Sequence, residues 1–199
     1  QVFASRRKLL DHTLPLTSLM AARKVTSFFQ NLFGEVRVED LWTPLFAVSS
    51  SLSRARSVIH DRGPVWHSVR ASTAIPAIFP PLLHDDGDVL VDGNVMNNMP
   101  LDVMRDWCGG GTVIGVNPMP TDDKMRRYSF GPSLTGWVAL KGRLRWFGSP
   151  TRAPSFLGSV MRATEINSAN RMRLASFRSL ADLLVEPKLG NFPILAFDQ

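Results

Sequence analysis

An α/β fold with a mostly parallel central sheet flanked by helices is what this sequence predicts, and three observations carry the expectation. Residues 89–91 read as a short buried strand, 101–107 as a helix and 112–116 as a second strand, an order that implies a right-handed crossover between parallel neighbours. The strand at 112–116 is nearly all apolar, as strands covered on both faces are. A long helical stretch over 155–180 then leads to a last strand near 183–185, which repeats the alternation.

The elements follow in order. Residues 1–10 look helical, 11–15 read as a loop, and a helix resumes over roughly 18–33, with Gly34 as its stop. Residues 45–52 are strand-like, and 57–60 suit a hairpin partner across a basic turn at 53–56. Gly63 and Pro64 open a helix over 65–74 that Pro76 ends, because the residue before proline avoids helical backbone. After the strand at 89–91 comes a turn at Asp92, Gly93 and Asn94. Pro100 suits the first turn of the helix at 101–107, which puts Val103, Met104 and Trp107 on one face. Gly109, Gly110 and Gly111 read as a helix stop plus turn. Residues 121–150 are polar, basic and punctuated by glycine and proline.

Composition bounds the function. The 199 residues are 44% hydrophobic and 20% charged, with 12 Phe and 5 Trp, enough to bury a core and too apolar for disorder. No run approaches the ~18 apolar residues of a membrane span. The single cysteine, Cys108, excludes an internal disulfide framework and suits a reducing, cytoplasmic compartment. The net charge of +6 is concentrated: residues 1–120 balance, whereas 121–173 carry +7. Such a segment faces water, an anionic membrane or nucleic acid. No nucleic-acid-binding module accompanies it, so nucleic acid is not expected as a partner. Within it, Trp137, Leu140, Leu144 and Phe147 fall in an arc of about 80° on a helix. Lys141 and Arg145 flank one side of that arc and Arg143 the other. Aromatics flanked by bases suit an interfacial helix on an anionic membrane surface, and a stripe packed on the core is the competing reading.

Chemistry is sought beyond the carboxyl ends of strands, where open sheets keep their sites. Asp92 stands there, followed by Gly93. A carboxylate so held can accept a proton from a neighbouring hydroxyl; on spacing alone the favoured reading is an Asx turn closing a strand. The four histidines, His12, His60, His67 and His84, show no metal-ligand spacing and read as surface or capping groups, so no metal is expected. Ser72 reads as part of a pocket wall, and Asn97 and Asn98 as the lead into the following helix.

The stretch 70–100, RASTAIPAIFPPLLHDDGDVLVDGNVMNNMP, resembles the patatin-like phospholipases: their A-S-x-x-I-P-x-x-F-P-P block, their D-G-G/A motif and N-N-x-P. Leu14, Pro15, Leu16, Thr17 and Ser18, the Glu39, Asp40, Leu41, Trp42 run, residues 133–137 and 181–184 resemble the neuropathy target esterase branch. The resemblance implies a three-layer patatin-like fold and hydrolysis of phospholipid or lysophospholipid carboxylic esters by a Ser–Asp dyad, without a cofactor. It maps the family's catalytic aspartate onto Asp92, within the motif Asp92, Gly93, Asn94. The third position departs from Gly or Ala, and Asn tolerates left-handed backbone better than most residues. The family's nucleophile lies in G-x-S-x-G, which occurs nowhere in these residues. Residues 1–199 therefore read as the C-terminal portion of a single hydrolase domain. They lack its N-terminal strands and supply the aspartate but no nucleophile, with a basic, membrane-facing segment at 121–150. The alternative is a non-catalytic lipid- or partner-binding remnant.

Overall fold

A computed structural model describes residues 11–118, 133, 135–137 and 155–187. The helix expected over 1–10 and most of the basic segment, including the stripe beyond Trp137, lie outside the described residues. Trp137 itself is exposed.

The first helix, α1 (Arg23–Phe33), starts later than expected. Leu19 and Met20 are taken by another partner, their N–H groups donating to the carbonyls of Ala77 and Ile78 at 2.9 Å each. Ala22 then turns the chain through a left-handed backbone (φ 60°). One oxygen of Asp11 accepts from the Arg23 and Lys24 N–H groups, at 2.8 and 3.4 Å, which satisfies two orphan donors of the first turn. Gly34, at φ 53°, ends the helix as expected.

Strands β1 (Ala47–Ser51) and β2 (Arg56–His60) form the expected hairpin, with Ser49 opposite Val58 and Ala47 opposite His60. Helix α2 (Val65–Ser72) follows and ends short of Pro76. Its Arg70 is buried: Nε donates to Thr26 Oγ1 on α1 at 3.3 Å and Nη2 to the Pro80 carbonyl at 3.0 Å. That side chain fastens the proline-rich loop to both helices. Strands β3 (Leu82–Leu83) and β4 (Val89–Asp92) complete a sheet of order β2-β1-β4-β3 in which every pairing is antiparallel.

The mostly parallel sheet is thus a correction. β1 and β3 occupy both hydrogen-bonding edges of β4, so no edge remains for the strand beyond the next helix. That helix, α3 (Leu101–Trp107), leads instead to β5 (Ile114–Val116) in a second, two-stranded sheet. β5 pairs in parallel with β6 (Leu183–Val185), in the register Ile114 opposite Leu183. The parallel unit exists one connection later than the sequence suggested. Its crossover carries α4 (Phe156–Arg173) and α5 (Ala175–Arg178), which the sequence reads as one helix. Leu174, in extended backbone (ψ 120°), breaks them apart, and Phe177 turns into the core with Leu101, Val113 and Met172. The double cover expected for 112–116 is also incomplete among the described residues: Ile114 and Val116 are more than half exposed, while Gly115 packs on Leu101 and Leu184. Among the described residues no helix is long and apolar enough to cross a membrane.

Candidate functional site

Asp92 ends β4 directly opposite Ser49 of β1. The Asp92 N–H goes to the Ala74 carbonyl (3.0 Å), just past α2, and Leu52 N–H reaches the Val89 carbonyl (2.8 Å). Counting along the ladder makes Ser49 and Asp92 a non-hydrogen-bonded pair, the kind with side chains closest together. The backbone then folds into a single 3₁₀ turn, Gly93–Val95. Asp92 Oδ1 accepts from the Asn94 N–H at 2.8 Å, so the Asx turn is present. No hydrogen bond to Oδ2 is found among the described residues. Burial pushes the Asp92 carboxyl above the usual carboxylate range, against the opposing pull of the Asn94 amide. One oxygen anchored and one available, with raised basicity, is the arrangement of a proton acceptor.

Gly93 is fixed by proximity rather than by φ. A Cβ there would collide with the Val48 carbonyl oxygen and stand 3.0 Å from its carbon. Asn94 needs no left-handed backbone, since its φ is negative. The departure at the third motif position therefore costs no strain. The Asn94 and Asn97 Oδ1 atoms are buried and have no hydrogen-bond partner among the described residues. Asn97 is buried, donating its N–H to the Gly93 carbonyl (2.8 Å) and Nδ2 to Asp102 Oδ1 (2.9 Å), whereas Asn98 is exposed. The pair read together from sequence is thus split: Asn97 braces the turn. Burial pushes the Asp102 carboxyl up, but bonds from Asn97 and Arg171 outweigh it and hold it below the usual range.

Ser72 closes α2, two residues before Ala74, and only the latter touches Asp92 through its backbone. Of the Glu39, Asp40, Leu41, Trp42 run, Glu39 accepts from the Gly63 N–H at 2.8 Å and so fixes the entry to α2. The other three line an open groove of about 550 Å³ to which the Asp92 turn does not contribute.

His12 is exposed as expected, whereas the other three histidines correct the sequence reading. His60, His67 and His84 cluster, with ring centroids 5.4–6.4 Å apart, and His60 Nε2 pairs with Ser49 Oγ at 2.7 Å. Among the described residues no group of His, Cys, Asp or Glu is placed to hold a metal ion. Ser49, His60 and Asp92 share one face of the sheet, yet Ser49 has no exposed surface and offers no route to a substrate. The sequence carries only half of that signal: alternation puts residues 47 and 49 on one face, and the hairpin register then sets His60 opposite 47.

The cluster has a pH consequence. Burial, then the charges of His67 and His84, push the His60 imidazole down to about 4; burial and His84 likewise lower His67, with Arg70 adding to this and Asp85 opposing it. Unfolded histidines bind protons below about 6.5, so stability is full above that pH and falls toward pH 4, by a few kcal/mol in all. The melting temperature is expected to drop on the order of 5–10 °C between pH 7 and 4.5. His60→Gln should flatten that slope, and an unchanged slope would refute the assignment.

The family model described as patatin-like phospholipase matches residues 1–105. Neuropathy target esterase sws of Drosophila melanogaster is 29% identical over 191 residues, 96% of this chain and 13% of that protein. A patatin-like phospholipase domain-containing protein of Caenorhabditis elegans is 38% identical over 193 residues, 96% of this chain and 14% of that protein. Lysophospholipase NTE1 of Candida glabrata is 29% identical over 191 residues, 96% of this chain and 11% of that protein. The chain spans about an eighth of the length of these relatives.

Proposed function

Since the chain belongs to the patatin-like phospholipase family, we propose that it forms the C-terminal portion of one serine hydrolase domain acting on phospholipid or lysophospholipid carboxylic esters. The observation that carries this reading is Asp92, anchored through Oδ1 and available through Oδ2 at a strand end. The nucleophile belongs to a G-x-S-x-G outside residues 1–199. Its Oγ attacks the ester carbonyl carbon while the hydroxyl proton passes to Asp92 Oδ2. Collapse of the tetrahedral adduct breaks the C–O bond, and Asp92 returns the proton to the departing alcohol. Water then cleaves the acyl-enzyme with Asp92 again as base. Burial favours this role by raising the carboxyl above the usual carboxylate range. The names of the esterase and lysophospholipase relatives agree with the ester class.

Labelling of the full-length protein with a fluorophosphonate probe tests the split. One serine outside residues 1–199 should react, and Asp92→Asn should suppress the reaction. Labelling of a serine within these residues would overturn the split, and no labelling at all would favour a non-catalytic lipid- or partner-binding remnant.

A cytoplasmic enzyme peripheral to a membrane suits the concentration of charge in residues 121–173. Each Lys or Arg near an anionic leaflet contributes about 1 kcal/mol. Changing Lys141, Arg143 and Arg145 together to Gln should remove the salt-sensitive part of binding to anionic vesicles. Unaltered binding across salt concentrations would sink the membrane-facing role.

A further inference from the structure

We propose that Arg171 of α4 is a positioning residue for Asp92, working through the carbonyl end of the Gly93–Val95 turn. The inference rests on the reading of Asp92 as proton acceptor. The Asn94 N–H reaches Asp92 Oδ1 only while that turn is closed, so whatever holds the turn sets the carboxylate. Its entry is fixed by the sheet and by the Ala74 carbonyl. Its exit has no such support. The Gly93 carbonyl takes the N–H groups of Met96 (3.1 Å) and Asn97 (2.8 Å), but the Val95 and Met96 carbonyls receive no backbone donor among the described residues.

Helix α4, more than seventy residues on, supplies those donors. Asn167 Nδ2 donates to the Val95 carbonyl at 3.1 Å and the Met96 carbonyl at 3.3 Å. Arg171 Nη1 donates to the Met96 carbonyl at 3.2 Å, and Nη2 pairs with Asp102 Oδ2 at 3.0 Å. Asp102 Oδ1 accepts from Asn97, whose N–H returns to Gly93. The path from Met96 through Arg171, Asp102 and Asn97 to Gly93 is thus a closed polar circuit with both ends on the turn. The guanidinium lies 4.6 Å from the ring centroid of Phe177, a core residue, so core packing fixes where the fork points. A planar fork can hold two partners in fixed directions at once, which a lysine ammonium cannot.

Arg171→Met and Arg171→Lys in the full-length protein test this, with kcat, KM and the pH profile measured on a short-chain nitrophenyl ester beside melting curves. A displacement of about 1 Å at a reacting group costs about 10²-fold, so Arg171→Met should lower kcat to that extent with KM unchanged. The acid limb of its profile should move to higher pH, because the Asn94 N–H that favours the carboxylate is lost while burial remains. Arg171→Lys, which reaches one partner, should fall between. If Arg171→Met does not fold, the lysine variant decides alone. A folded variant with parental kcat and acid limb, while Asp92→Asn is inactive, overturns the positioning role only. Activity in Asp92→Asn overturns the reading beneath it as well.

Discussion

Asp92→Asn in the full-length protein is expected to lose ester turnover by at least ~10²–10⁴-fold, the usual contribution of a positioned general base. The amide keeps the shape and keeps an oxygen for the Asn94 N–H, so the turn persists. It cannot take up the serine proton at the position of Oδ2. Stability should hold or rise, since burial already disfavours the charged carboxyl. Loss of turnover with a preserved melting temperature on a short-chain nitrophenyl ester is therefore the signature. Turnover within a few-fold of the parent would remove Asp92 from the chemistry.

What the sequence made legible about this site is local. A strand running up to an aspartate, a glycine directly after it, and a helix opened after Gly63 and Pro64 all depend on neighbours within a few residues, and all occur. Long-range pairing was not legible. Residues 89–91 look the same whether their partners run parallel or antiparallel, and only the occupation of both edges by β1 and β3 decides it. The same holds for α1, whose first residues look helical until the Ala77 and Ile78 carbonyls claim Leu19 and Met20. Leu174 gives no breaker signal either, and the need to bury Phe177 imposes the bend.

The buried polar groups follow the same division. β1 carries three consecutive serines in the interior, an unlikely core by composition. Two of them are satisfied from distant places: Ser49 by His60, and Ser51 Oγ by Asp88 Oδ1 at 2.7 Å. Neither partner is readable from the serine run, because the hairpin register and the β1–β4 register create both contacts. The Arg171 circuit is remoter still, joining residues more than seventy positions apart. Motif reading singles out Asp92; the groups packed around its turn are visible only in the fold.

Among the described glycines Gly93→Ala should be the most damaging added methyl, and comparison with Gly87→Ala isolates the reason. Gly87 sits at φ 82° with open space where a Cβ would go, so alanine there meets backbone strain alone, about 1–2 kcal/mol. Gly93 has the opposite problem. Its backbone suits any residue, but a Cβ would be driven into the Val48 carbonyl, part of β1 and not a side chain that can swing aside. Relief requires the turn to move off the sheet. Overpacking of this kind costs about 1–3 kcal/mol, and the movement carries Asp92 and the Asn94 N–H with it. A shift of about 1 Å at the carboxylate is enough for a 10²-fold loss of turnover. The two variants should therefore lose comparable stability and differ sharply in activity, Gly87→Ala retaining turnover and Gly93→Ala losing it. Parental kcat in Gly93→Ala would mean that the turn can leave Val48 without disturbing Asp92, and the close approach would then have no part in setting the site.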